Sequence, residues 1–179
     1  ETDYVTFLDG DDVINSGFSN FISKKRICGD LIAFNFNYLI NKKIIKNNFF
    51  KKDIILSKKD IKKYFYNYLN KPNKNSLFTT CWAKLYKTKS LTLNKSLYFN
   101  EKMFLCEDTD FVFRFLSNAT KIIFFNHSMY IHNLYRGKKN YNKATFGTKI
   151  SLKHQLSFLK PIASCKKYFI NKGDKFLKI

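Results

Sequence analysis

Apolar residues recur along the chain in two rhythms, and where one gives way to the other the predicted elements begin and end. Tyr4-Val5-Thr6-Phe7-Leu8 is a run of β-formers that stops at Asp9-Gly10-Asp11-Asp12, the pattern of a buried strand delivering carboxylates to an edge where ligand can sit. Residues 31–39 begin as a continuous apolar run and turn to alternation, which predicts a strand buried at its start and half exposed at its end. Asn41-Lys42-Lys43 reads as a turn, with residues 44–50 returning as a hairpin partner, and Lys121-Ile122-Ile123-Phe124-Phe125 reads as a further strand.

The helical rhythm is clearest behind Ser57-Lys58-Lys59-Asp60, a capping-box pattern with Asp in place of Glu or Gln. Ile61, Tyr64, Phe65, Tyr68 and Leu69 then line one face and lysines the other, until Asn70-Lys71-Pro72-Asn73 ends the helix. Shorter helices are predicted over residues 13–22 and 87–91. Another should run through 111–116, capped by Asp108 or Thr109. Residues 97–101 read as extended and 135–140 as a flexible basic loop. Helices over 148–159 and 164–170 are expected to be separated by Pro161.

Length allows one domain with a sizeable core and not two comfortable ones. The chain opens on Glu1 and runs almost at once into a strand, so it is read as a fragment whose upstream part is missing. Lysine and arginine total 33 against 13 acidic residues, a net charge of +20, which suits nucleic acid, anionic lipid or a polyanionic substrate. The arginines are few (Arg26, Arg114, Arg136), and that shortage argues against nucleic acid, whose readers use the bidentate guanidinium. Cys28, Cys81, Cys106 and Cys165 have no CxxC or His spacing for zinc and read as buried reduced thiols of a cytosolic protein. No stretch reaches the roughly 18 uninterrupted apolar residues of a span, so membrane contact would be peripheral.

The candidate chemistry lies in two acidic clusters, Asp9/Asp11/Asp12 and Glu107/Asp108/Asp110. A D-x-D at a strand end suits a divalent cation, because carboxylates are hard oxygen ligands; an acidic helix start is equally a favourable cap against the dipole. The spacing is not that of a calcium loop. Trp82, the only tryptophan, reads either as core or as an aromatic wall beside a sugar or base.

In order along the chain, Val5-Thr6-Phe7-Leu8-Asp9-Gly10-Asp11-Asp12, Cys81-Trp82-Ala83-Lys84-Leu85-Tyr86, Leu97-Tyr98-Phe99-Asn100-Glu101 and Glu107-Asp108-Thr109-Asp110-Phe111 resemble four motifs of glycosyltransferase family 2. The family's strand-then-DxDD, W-x-K-L-Y, F-x-E and G-E-D-x-x-F are matched, with Gly10 for the usual serine and Cys106 where glycine commonly precedes the E-D pair. The resemblance covers Tyr4 to about Tyr135 and is greatest to bacterial transferases of lipooligosaccharide or capsule, such as the β-1,3-galactosyltransferases.

It implies an α/β GT-A (Rossmann-like) fold, with residues 1–145 as its metal-binding and acceptor-side part, a mixed sheet with flanking helices, and 146–179 as a basic helical tail. The first strands and the uracil-binding aspartate of the family would lie upstream. It implies inverting transfer from a nucleotide-sugar, usually a UDP-sugar, to a hydroxyl of a glycan or lipid-linked acceptor; the alternatives are a basic lipid- or nucleic-acid-binding module and an inactive truncated transferase. Asp11 would bind Mn2+ or Mg2+, Asp9 would support the ribose or the metal shell, Trp82 would flank the nucleotide-sugar, and His132 would be a further metal or phosphate contact. Asp108 would be the general base and Glu107 its orienting neighbour. The expected location is cytoplasmic, with the lysine-rich tail docking on the anionic inner face of the membrane.

Overall fold

The computed structural model describes residues 2–25, 27–71, 76–92, 97–103, 105–134, 156 and 159–163. Its centre is β3 (Leu31–Ile40), whose first six residues are buried and whose last four are half buried, as the shift from continuous to alternating apolar residues predicts. β7 (Ile122–Leu134) runs parallel to it along its full length. On the other side, β6 (Lys84–Lys87) pairs antiparallel with Leu31–Ala33, and β4 (Lys43–Asn47) continues that side along Phe36–Ile40. Asn41 and Lys42, with φ of 49° and 64°, form the two-residue turn between β3 and β4 that the strand twist favours.

The outer strands are short. β1 (Tyr4–Val5) pairs with β6, whereas β2 (Val13–Ile14) pairs with β7, so the order is β1-β6-β3-β7-β2, with β5 (Ile54–Leu56) also on β7. Residues 6–12 therefore cross the sheet from one edge to the other. Residues 13–22, expected as one helix, divide into β2 and α1 (Phe18–Ser23), because Val13 and Ile14 are drawn into the ladder with Ile131 and Tyr130.

The capping box forms as read: Ser57 and Asp60 satisfy each other's backbone N–H at the start of α2 (Lys58–Asn70), which buries Ile61 and Phe65. α3 (Thr88–Thr92) is one short turn after β6. α4 (Glu107–Asn118) buries seven residues and carries Phe111 and Phe115 onto Tyr86. Its N-cap is Cys106, in place of the Asp108 or Thr109 expected; both of those lie inside the first turn. Residues 97–101 form no regular element, and residues 122–134 make one long strand where only 121–125 were expected. Residues 159–163 are helical, so Pro161 lies within a helical stretch and does not separate two. The predicted loop at 135–140 and nearly all of the predicted tail, with Cys165, lie outside the described residues. No described helix is long and apolar enough to cross a membrane.

Candidate active site

The register of β7 against β3 is what builds the site. Up to Phe34 and Phe125 the strands run in step, but Asn35 faces Ser128 and Phe36 faces Tyr130, so β7 carries extra residues at this point. The shift places Tyr130, His132 and Asn133 beside the incoming loop of residues 9–12. Asp12 is the aspartate they seize: Tyr130 Oη donates to its Oδ2 at 2.7 Å, His132 Nδ1 lies 2.9 Å from the same oxygen, and Asn133 N donates to Oδ1 at 2.7 Å. The Asp12 side chain is fully buried. Tyr130 Oη in turn accepts from Asp9 N at 3.1 Å, and Asn133 Nδ2 donates to Asp11 O at 3.3 Å. The loop is thus pinned by one buried carboxylate and by its own backbone, leaving the Asp9 and Asp11 residues exposed.

Beneath this lies Trp82. Its ring stacks on Tyr130 (4.6 Å, 9°) and on His132 (5.1 Å, 23°) and meets the edge of Phe36. At 6% exposure it is a packed floor under the histidine, so of the two readings of this tryptophan the structure places it in the core. His132 keeps 27% of its side chain exposed, and Nε2 is the ring nitrogen that Asp12 does not engage.

α4 brings the second acidic cluster to the same place. Cys81 N donates to Asp108 Oδ2 at 3.1 Å, and Thr109 Oγ1 donates to Thr79 O at 2.8 Å. The Cys81 thiol is a second hydrogen-bond partner of the Asp108 carboxylate. Asp108 is near enough to Asp9 to act on its ionisation: partial burial, then repulsion from Asp108, Asp12 and Asp11, hold the Asp9 carboxyl above the usual carboxylate range, against an opposing pull from His132. Glu107 is half buried in the first turn of α4. Asp110 points elsewhere, to Arg114 at 2.8 Å, and Arg114 also donates to Tyr98 O at 2.7 Å, a structural clamp across one helical turn.

Two exposed carboxylates in a neighbourhood of four aspartates form a hard, electronegative donor set. Among the described residues, however, no group of three or more His, Cys, Asp or Glu side chains converges as a finished metal site. An open Mg2+- or Mn2+-type site needs only one or two carboxylates, completed by substrate phosphates and water, and Asp9 and Asp11 are the residues that would hold such an ion. Sequence reasoning gave weight to Asp9 and Asp11 and passed over Asp12, Tyr130 and Asn133. The D-D pair was the available signal, but which of three aspartates is buried depends on pairing about a hundred residues away.

The mixed sheet with flanking helices matches solved structures of the glycosyltransferase fold, GT-A-like in kind. The chain is similar to solved structures of Staphylococcus aureus TarS residues 1–349. To the complex with UDP-GlcNAc it has a TM-score of 0.63 at 18% identity, over 96% of this chain and 45% of that one. For the complex with UDP the values are 0.52 and 21%, over 75% and 36%, and for TarS without a named ligand 0.55 and 16%, over 94% and 57%. The chain thus spans about half the length of the structures it matches, and at these identities the likeness is one of fold. No protein-family model matches the sequence, and no curated protein does.

Proposed function

We propose that this chain is the metal-binding and acceptor-side part of an inverting, nucleotide-sugar-dependent glycosyltransferase. The observation that carries the reading is the Cys81-Trp82 link between the two acidic clusters: Cys81 N–H holds Asp108, and the Trp82 ring stacks on the Tyr130 and His132 that grip Asp12. Asp108 is the general base: Cys81 N–H fixes its carboxylate at the start of α4, where it takes the proton of an acceptor hydroxyl as the hydroxyl oxygen attacks the anomeric carbon. Attack from the side opposite the departing nucleotide inverts the centre in one step. Asp11 and Asp9 would hold Mn2+ or Mg2+, an ion that neutralises charge on a departing diphosphate, and His132, held through Nδ1 by Asp12, would be a phosphate contact. Glu107 orients the acceptor or the base, and Trp82 contributes through the His132 and Tyr130 rings stacked on it.

A UDP-sugar is the donor favoured, on the fold shared with TarS crystallised with UDP-GlcNAc and with UDP. The finer type follows the sequence resemblance: hexosyl transfer to a lipooligosaccharide or capsule acceptor, glycan or lipid-linked, at the cytoplasmic face of the membrane, with the excess of lysine favouring an anionic surface. The test is UDP release from a panel of UDP-sugars with Mn2+ or EDTA, using the chain and a version extended upstream. Metal-dependent release, lowered at least about a hundredfold in Asp108→Asn and Asp11→Ala, is expected. A folded, extended protein that releases UDP from no donor would overturn the reading.

A further inference from the structure

Lys84, the first residue of β6, is 1% exposed, and no ion pair among the described residues includes it. Its Nζ donates to Trp82 O at 3.0 Å and to Thr80 Oγ1 at 3.3 Å. Both bonds reach back across Ala83, whose φ of 54° is left-handed and unusual for a residue with a Cβ.

The segment 79–83 belongs to no helix or strand, and its backbone groups are satisfied by partners from several different elements. Thr79 O accepts from Thr109 Oγ1, Cys81 N donates to Asp108 Oδ2, and Cys81 O accepts from Tyr86 Oη at 2.9 Å. Trp82 O accepts from Lys84, and Ala83 O from Phe34 N at 3.1 Å. This strap joins the Asp108 carboxylate at one end to the Trp82 ring at the other.

A lysine is a costly way to fill this space. Burial pushes Lys84 down to about 7, opposed by Cys81 and Asp108, the ionisable groups that face it. An unbranched apolar side chain of similar length would fill the volume without desolvating an amine. It could not hold the Trp82 carbonyl and the Thr80 hydroxyl together. Stability alone therefore gives no reason for a lysine, whereas the strap does.

We infer that Lys84 is a positioning residue: by tying Trp82 O and Thr80 Oγ1 across the Ala83 turn, it keeps the Cys81 N–H on Asp108 and the Trp82 ring flat beneath Tyr130 and His132. The kinetic consequence rests on the transferase reading; the structural one does not. Trp82 is the only tryptophan of the chain, so its fluorescence and near-ultraviolet dichroism report on the strap directly.

The experiment compares wild type with Lys84→Met in the full chain. At pH 6 the variant is expected to unfold cooperatively at an equal or higher urea midpoint, with altered Trp82 emission and faster hydrogen exchange at the Cys81 amide. UDP-sugar turnover should fall about ten- to a hundredfold in kcat, with donor KM changed little. Lys84→Gln, which keeps a donor without the charge, should lie nearer wild type on every readout, and serves alone if the methionine variant does not fold. Wild-type emission, exchange and kcat in a folded Lys84→Met would overturn the inference, as would a loss of stability with unchanged kcat per folded molecule. If wild type turns over no donor, the transferase reading fails, while emission and Cys81 exchange still decide the role of Lys84.

Discussion

The two ends of β7 are each held by an aspartate, to different effect. At the start, Asp30 accepts from Thr120 N (2.8 Å), Thr120 Oγ1 (2.8 Å), Lys121 N (3.1 Å) and Ser90 Oγ (3.3 Å), binding the beginning of β3 to α3 and to the turn out of α4. Toward the other end, Asp12 accepts from Tyr130, Asn133 and His132. Asp30's partners are two backbone N–H groups and two hydroxyls, and they close a connection. Asp12's partners include side chains that themselves meet the crossing loop and the Trp82 floor, so the same chemistry orients a tyrosine and a histidine beside the acidic loop. A carboxylate with several hydrogen bonds is thus no mark of function on its own; what its partners touch next decides.

The sharpest way to break the comparison is to remove both clasps. Asp30→Ala leaves two backbone N–H groups without their acceptor and should cost about 3 kcal/mol of stability by urea unfolding, with the rate per folded molecule unchanged. Burial pushes the Asp30 carboxyl up, but the Thr120, Lys121 and Ser90 hydrogen bonds outweigh it and hold it below its ordinary 3.8. Its stabilisation is therefore full above pH 3.8 and is lost as pH falls through the folded value, and Asp30→Ala should flatten that acid limb. Asp12→Asn keeps the shape but turns an NH2 toward donors, so His132 and Tyr130 lose their acceptor. Turnover should drop about ten- to a hundredfold, with a shift in Trp82 emission. If Asp12→Asn lowers only stability, in the manner of Asp30→Ala, the distinction between the clasps collapses.

Lys84 sharpens the contrast through pH, because it lies at the site end and titrates out of place. Its folded value is about 7 against an ordinary 10.5, so between these the unfolded chain binds more protons and stability rises with pH. Above pH 9 the thiols of Cys81 and Cys106, both raised from 9.0 by burial first, oppose this trend, since there the folded chain binds more. The clean window is therefore pH 7 to 9. Wild type should gain up to about 2–3 kcal/mol across it, and Lys84→Met should show no such rise. A wild-type stability that is flat from pH 7 to 9 would mean that Lys84 is not the depressed amine its burial implies.

How much of this was legible depended on the range of the interactions. The Ser57–Asp60 box, the Asn41-Lys42 turn and the burial gradient of β3 are written within a few consecutive residues, and local pattern suffices for them. The acidic loop and the start of α4 were located as candidates because carboxylates stand out in a lysine-rich chain. The choice of Asp12 over its neighbours was not legible, because it is made by Tyr130 and Asn133, and by a register shift in β7 that no local periodicity records. Lys84 was visible only as one letter of a tryptophan motif; its place beside Ala33 follows from the pairing of β6 with β3, and that pairing is not local. A lone tryptophan in a sequence suits floor and wall equally, and the Tyr130 and His132 rings stacked on Trp82 decide for the floor.

The smallest effect concerns backbone strain, which also separates the two ends. Among the described residues, the non-glycine positions with positive φ outside the Asn41-Lys42 turn are Ala83 (54°) and Cys106 (63°), both at the site end and both flanking the strap–Asp108 junction. Cys106 caps α4 without a side-chain hydrogen bond, so its side chain gives the helix start nothing that glycine would lack, while its Cβ opposes the left-handed turn. Cys106→Gly should therefore raise stability by about 0.5–1 kcal/mol in urea, the relief of strain slightly exceeding the added freedom of the unfolded chain. Asp108 should stay on Cys81 N–H, so Trp82 emission and turnover should match wild type. A glycine variant less stable than wild type would show instead that the half-buried thiol contributes more by packing than its backbone costs, and that the strain at this end is offset locally.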